Sequence, residues 1–240
     1  MEHEVQGHTK KIYKAWKDPR KQFWDKVKDI GIEIGIIVFA ISLSIWFHSW
    51  SEKRHDQKEV KEFLIGLKGD LEADIKEMND DIKSYVRSGQ TFSYIESLKI
   101  NEVPPADSIK KYSRSFNGST ALVANAGRFE GFKSSGKIGK IENTQLQNDI
   151  LDLYEESIPM LIGNTDSYTN NKLAFFSFIK KNTKRVTDST TNFKEIISSG
   201  ESFAYARALS HTEGIIEIYD MVIAKNKKII EAINKEYDLK

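Results

Sequence analysis

The sequence predicts an all-α protein: one N-terminal transmembrane helix continuing into a long stalk helix, with an antiparallel helical bundle outside the membrane. Three observations carry this. Residues 30–50 form one apolar run, IGIEIGIIVFAISLSIWFHSW, in which Glu33 is the one strongly charged side chain. Beyond it, apolar residues recur at helical spacing through long stretches without proline, of which the chain holds 4. Proline would remove a backbone donor and clash with the preceding turn. No segment sustains the period-two alternation of a strand.

Residues 1–29 read as a short basic tail in which Ile12, Tyr13, Trp16, Phe23, Trp24 and Val27 interleave with lysines. That pattern suits an amphipathic helix lying on an anionic membrane face; a frayed tail fits it equally. Residues 30–50 would rise about 31 Å as a helix, close to the ~30 Å hydrocarbon core. Trp46 and Trp50 at one end, and Trp24 before the other, are expected membrane-interface anchors. A signal peptide would be shorter and nearer the N-terminus, with a small-residue cleavage site after it. A buried core helix would not be apolar on every face. Residues 10–29 hold eight cations and residues 51–70 hold five. The excess predicts a cytoplasmic N-terminus.

Within the run, Gly31 and Gly35 form G-x-x-x-G, which lets a second helix approach closely, and Ser42 continues the seam. Glu33 lies between the glycines. A carboxylate in a span is costly and usually faces protein or water. Pairing with Lys26 or Lys28, or a role in assembly, is the expected use; ion or proton coupling is the alternative.

Residues 51–88 read as a stalk helix. Val60, Leu64, Leu67, Leu71, Ile75, Met78, Ile82 and Val86 follow an 11-residue repeat, which suits a nearly straight or slightly right-handed coil. Their stripe is expected to pack on the rest of the domain or on a second copy. Asp70, Asp74, Glu77, Asp80 and Asp81 read as a solvated acidic face. Ser88-Gly89 is expected to end this helix.

Residues 89–240 form the remainder of the domain. Phe92 to Ile100 is expected as a short helix, Val103-Pro104-Pro105 as a link, Asp107 or Ser108 as a cap, and Asn117-Gly118 as a turn. Thr120 to Phe132 is expected to be helical, with a break at Ser134-Ser135-Gly136. Asn143 or Thr144 caps a helix that Pro159 and Gly163 kink rather than end. Phe193 to Ile197 is a short helix stopped by Gly200, and Glu201 to Tyr237 one last long helix.

Composition narrows the chemistry. Lys+Arg 36 against Asp+Glu 35 leaves a net charge of +1, without the basic excess of a nucleic-acid binder. Cysteine is absent, which excludes disulfides, thiolate metal sites and a cysteine nucleophile. The five histidines do not pair at metal spacing. His48 and His55, seven apart, read as interfacial side chains rather than a pH sensor. His211 has Ser210 and Glu213 nearby but no strained G-x-S-x-G elbow. Gly131 to Lys137 has P-loop spacing, yet Ile138 stands where a Mg²⁺-binding Ser or Thr is needed. The expectation is no catalytic, cofactor-binding or metal site.

Ile30 to Ile37, then Trp50-Ser51-Glu52-Lys53-Arg54 and a charged helix, resemble a Bacteroidota family of single-span proteins of unknown function. So does Phe129-Glu130-Gly131-Phe132-Lys133-Ser134-Ser135-Gly136-Lys137-Ile138 followed by Ile141 and the helix from Asn143. His48 departs from the Asn usual in that family. The resemblance implies a bacterial inner-membrane protein with its bulk domain periplasmic, and Asp107-Ser108-Ile109 would resemble that phylum's short O-glycosylation site.

Together these readings point to a membrane-anchored periplasmic scaffold or accessory subunit of a cell-envelope complex. Its expected partners are membrane lipid and other membrane or periplasmic proteins, itself included, and not nucleic acid. A ligand-sensing bundle, or an ion-coupled subunit built around Glu33, are the alternatives.

Overall fold

The computed structural model describes residues 10, 11, 13, 17, 23–109, 111 and 118–239. Most of the basic tail, including Ile12 and Trp16, lies outside these residues, as do Lys26's side chain and Asn117 of the expected turn. The described residues are all-α, with one isolated antiparallel bridge between Arg185 and Thr191. They divide into two compact units, Met1–Glu59 and Val60–Lys240.

Helix α1 runs without interruption from Phe23 to Ser97, 75 residues. Its first part contains the one described helix segment long and apolar enough to cross a membrane, and none of that apolar window is buried within the chain. The expected stop at Ser88-Gly89 does not occur, and Phe92 belongs to the same helix. Gly89 serves close packing instead. A Cβ there would stand 2.7 Å from Thr212 Oγ1 and 3.2 Å from the Ser210 carbonyl oxygen.

In the second unit, the central buried seam of α1 is Val60, Leu64, Leu67, Leu71, Asp74, Met78, Asp81, Tyr85, Ser88, Phe92 and Ile95, with Phe63, Gly89 and Thr91 buried beside it. The seam positions alternate spacings of four and three, a strict heptad, where the sequence suggested an 11-residue repeat. The apolar-only reading drifts onto Ile82, half-buried, and Val86, exposed. The true seam keeps Asp74, Asp81 and Ser88 inside because each has a hydrogen-bond partner there. Seven-residue recurrence is the period of a left-handed coil.

The other elements are α2 (Gly127–Ser134), α3 (Thr144–Asp152), α4 (Ile158–Asn182), α5 (Phe193–Ile197), α6 (Gly200–Ser210) and α7 (Glu213–Tyr237). Contacts along α1 fix their directions. Lys61 lies over the Tyr237 ring, Lys68 donates to Asn234, and Asp81 accepts from Tyr219, so α7 runs antiparallel to α1. Tyr85 meets Tyr168, Ser88 meets Lys172 and Phe92 meets Phe175, so α4 runs parallel to it.

A parallel neighbour requires the chain to return between α1 and α3. Part of that return is extended rather than helical: residues 118–126 run back along α1, and helix begins only at Gly127. The expected helix from Thr120 is overridden because α1's carboxylates take up the segment's backbone amides. Asn143 accepts from the Leu146 amide at 3.1 Å and caps α3 as expected. Between α3 and α4, Leu153–Ser157 forms a π-helical turn. Pro159, two residues beyond it, has no N–H to give the preceding turn, and the wider turn carries the chain past that gap.

The expected last helix is broken in two. His211, at φ −85° and ψ 88°, leaves the helical region, and Thr212 is buried beside Gly89. The break lets α6 pack against α4 while α7 returns along α1.

Candidate functional site

In the apolar part of α1, neither Gly31 nor Gly35 has anything within 4 Å of where a Cβ would stand, and Ser42 is exposed. Glu33 pairs with Lys11 at 3.8 Å, a partner the sequence reading did not single out. Trp24, Trp46 and Trp50 are all exposed. Trp46 packs edge-on to Phe47 at 5.0 Å, and the Arg54 guanidinium sits 5.6 Å over the Trp50 ring. That contact places a cation against an amphipathic ring at the end of the apolar run.

The second unit holds two polar constructions. The first is a row of carboxylates on one face of α1, at Asp70, Asp74, Glu77 and Asp81. Asp70 pairs with Arg128 Nε at 2.8 Å. Asp74 accepts from the Asn125 amide at 3.1 Å and from its side chain at 2.7 Å. Glu77 accepts from the Val123 amide at 2.8 Å. Asp81 accepts from the Thr120 hydroxyl, and from Tyr219 at 2.9 Å. The side chains of one helix thus do the work of a neighbouring strand for an extended segment. Asp74 and Asp81 are therefore buried, contrary to the solvated face the sequence suggested.

Burial raises the Asp74 carboxyl above its ordinary value, against the lowering effect of its Asn125 bonds. Between the ordinary and the raised value the folded form binds more protons, so this group's contribution makes stability fall as pH rises through that window. Asp74→Asn keeps an acceptor for Asn125 and removes the charge. The variant is expected to gain on wild type in urea unfolding at about pH 7.5 relative to about pH 4.5.

The second construction is a cavity of about 530 Å³ where the extended segment meets α1 and α4. Arg87, Lys111 and Lys172 line it, together with the hydroxyls of Ser84, Tyr85, Ser88, Ser119, Thr120, Tyr168 and Thr169. No carboxylate is among those lining residues. Lys172 is 4% exposed. Its ammonium donates to the Gly118 carbonyl, and lies 3.4 Å from Ser88 Oγ. Burial lowers the Lys172 pKa to about 8. The Arg87 guanidinium is held by Ser84 at 2.8 Å. Tyr168 donates to the Leu209 carbonyl at 3.0 Å, and burial pushes its phenol up to about 12.

The profile of a Family of unknown function (DUF6090) matches residues 33–204. The chain belongs to that family. No curated protein and no solved structure matches it. The DUF6090 match begins at Glu33 and takes in the carboxylate row and every lining residue of the cavity.

Two motifs of this DUF6090 chain resolve as local structure. At the P-loop-like stretch, the amides of Ser135, Gly136 and Lys137 are donated to the carbonyls of Gly131, Lys133 and Phe132. They close the end of α2 and cannot cradle a phosphate. Gly136, at φ +74°, takes the left-handed conformation that glycine alone adopts cheaply. Gly136→Ala is expected to cost about 1 kcal/mol, read as a lower urea midpoint. At His211, Ser210 Oγ lies 3.2 Å from Nδ1 and 2.9 Å from Glu96 Oε2. The acid thus holds the hydroxyl and not the imidazole, the reverse of a catalytic triad's order.

Sequence reasoning missed Lys172, Arg87 and the carboxylate row. A signal for the row was present: Asp74, Asp81 and Ser88 recur every seven residues, in phase with Val60, Leu67 and Ile95. Nothing local marks Lys172, one lysine among many.

Proposed function

We propose that the chain is a membrane-anchored helical scaffold or accessory subunit of a cell-envelope complex, non-enzymatic and acting through protein–protein contact. Its N-terminus is cytoplasmic and its bulk domain periplasmic in a bacterial inner membrane, as the resemblance to Bacteroidota proteins implies. The observation that supports this reading is the apolar part of α1. Its side chains are exposed apart from the half-buried Ile30, Glu33 and Ile37, and neither Gly31 nor Gly35 has an atom within 4 Å of where a Cβ would stand. Lipid suits the apolar faces; a second helix suits the small-residue edge. The Glu33–Lys11 pair favours a structural over an ion-coupling role for this carboxylate.

The test is mild-detergent purification after in-cell crosslinking. The expected result is an assembly, with itself or with another envelope protein, that Gly31→Ile plus Gly35→Ile weakens. A lone monomer with nothing bound removes the scaffold reading. Orientation is read separately by fusing alkaline phosphatase to the C-terminus; activity is expected, and its absence with a fluorescent cytosolic fusion reverses the topology.

A further inference from the structure

We infer that the cavity between α1, α4 and the extended segment is a binding site for a small organic oxyanion, bearing phosphate or carboxylate groups, held by Lys172 and Arg87. The inference goes beyond the scaffold reading and does not depend on it.

The argument begins with the unusual position of Lys172. A buried ammonium normally sits against a carboxylate, because taking an unpaired charge out of water is expensive. Here its hydrogen-bond partners are a carbonyl and a hydroxyl, both neutral. Arg87, one turn of helix from Ser84, is likewise held by a neutral hydroxyl. The nearby carboxylate Asp81 is already engaged by Thr120 and Tyr219. Lys172, which is buried, and Arg87, which is exposed and also attracted to Asp80, thus border one cavity with no carboxylate among its described lining residues. An anion entering it would meet, in the Lys172 ammonium, a charge-assisted donor whose hydrogen-bond partners are neutral.

The rest of the lining suits such a guest. Of the seven lining hydroxyls, Ser84, Tyr85, Thr120 and Tyr168 donate to groups of the protein and offer a ligand their lone pairs, while Ser88, Ser119 and Thr169 can turn to donate to oxyanion oxygens. Tyr85 and Tyr168, edge to face at 5.2 Å, offer ring surface to a carbon skeleton. A volume of about 530 Å³ falls in the range of small-molecule sites and well exceeds a single phosphate. The site is thus sized for an organic anion rather than for an inorganic ion alone.

Charge linkage gives the site a pH signature. Lys172 is the group whose titration matters. Facing it or its neighbours are Asp80, Asp81, Tyr85 and Arg87 on α1, Lys111, and Tyr168 and Asp166 on α4. Its pKa in the folded chain, about 8, lies below the ordinary lysine value of 10.5. An anion favours the charged amine, so binding above about pH 8 takes up a proton, and affinity falls as pH rises.

The test uses the full-length protein in detergent, titrated calorimetrically with inorganic pyrophosphate and with citrate at matched ionic strength, sodium chloride serving as control. Both probes share the anionic chemistry; pyrophosphate preference would assign a phosphate-bearing ligand and citrate preference a carboxylate-bearing one. Lys172→Met is expected to weaken the preferred probe roughly tenfold or more, while the unliganded variant melts at or above the wild-type temperature. Arg87→Gln is expected to weaken it less, with little change in melting. Proton uptake on binding is expected at pH 9 in wild type and not in Lys172→Met. Two results overturn the site: neither probe binds above the chloride control at millimolar concentration, or Lys172→Met lowers the melting temperature and leaves probe affinity unchanged. The second outcome would make Lys172 a cap for the Gly118 carbonyl and nothing more.

Discussion

Placing arginine at Phe39 and Leu43 together is expected to move the protein from the membrane to the aqueous fraction. Both residues lie near the middle of the apolar run and are exposed within the chain. An arginine at the centre of a span costs roughly 3 kcal/mol on insertion scales, so two cost about 6 kcal/mol. That exceeds what one helix gains easily, since the remaining isoleucines, Val38 and Phe47 contribute only a few tenths each. Alkaline carbonate extraction separates the outcomes. Wild type should stay in the pellet and the double variant should leave it or be degraded. Wild type that extracts freely would mean that lipid does not cover this surface.

The second large effect concerns Gly89. Gly89→Val is expected to destabilise the helical unit by about 3 kcal/mol, the upper part of the range for overpacked sites. For a domain of this size that lowers the melting temperature by roughly 6–12 °C. The new Cβ would press on Thr212 Oγ1, which can turn, and on the Ser210 carbonyl, which is backbone and cannot. Thr212→Ala should therefore relieve only part of the penalty in Gly89→Ala, a coupling a double-mutant cycle would measure. Gly69 gives the contrast. It lies in the same helix with open space where a Cβ would be. Gly69→Ala is expected to stabilise by about 0.5–1 kcal/mol, because glycine loses more backbone freedom in a helix than alanine. Equal effects at the two positions would mean that α1 does not pack on the α6–α7 junction through Gly89.

These two glycines show where a linear reading stops. Ser88-Gly89 looks like a helix end because glycine commonly terminates helices. The same residue type is also what two backbones need for close approach, and only the position of Thr212, more than a hundred residues later, distinguishes the two uses. The acidic row fails in the same way. Six carboxylates within a dozen residues look solvated, since the only complementary groups near them in the chain are helix-surface lysines such as Lys83, which pairs with Asp80. The partners of Asp70, Asp74, Glu77 and Asp81 in the extended segment and α2 lie beyond a long connection, and two of them, at Val123 and Asn125, are backbone amides, which every residue but proline has.

The all-α class, the apolar run with its tryptophan ends, the Asn143 cap and the short helix at Phe193–Ile197 were each set by local chemistry: hydropathy, spacing and capping act within a few residues. The heptad seam of α1, the extended segment opposite it, the break at His211 and the gathering of Lys172 with Arg87 depended on what the folded chain placed alongside. A buried polar side chain is tolerable only when its partner arrives, and that partner is supplied by tertiary structure.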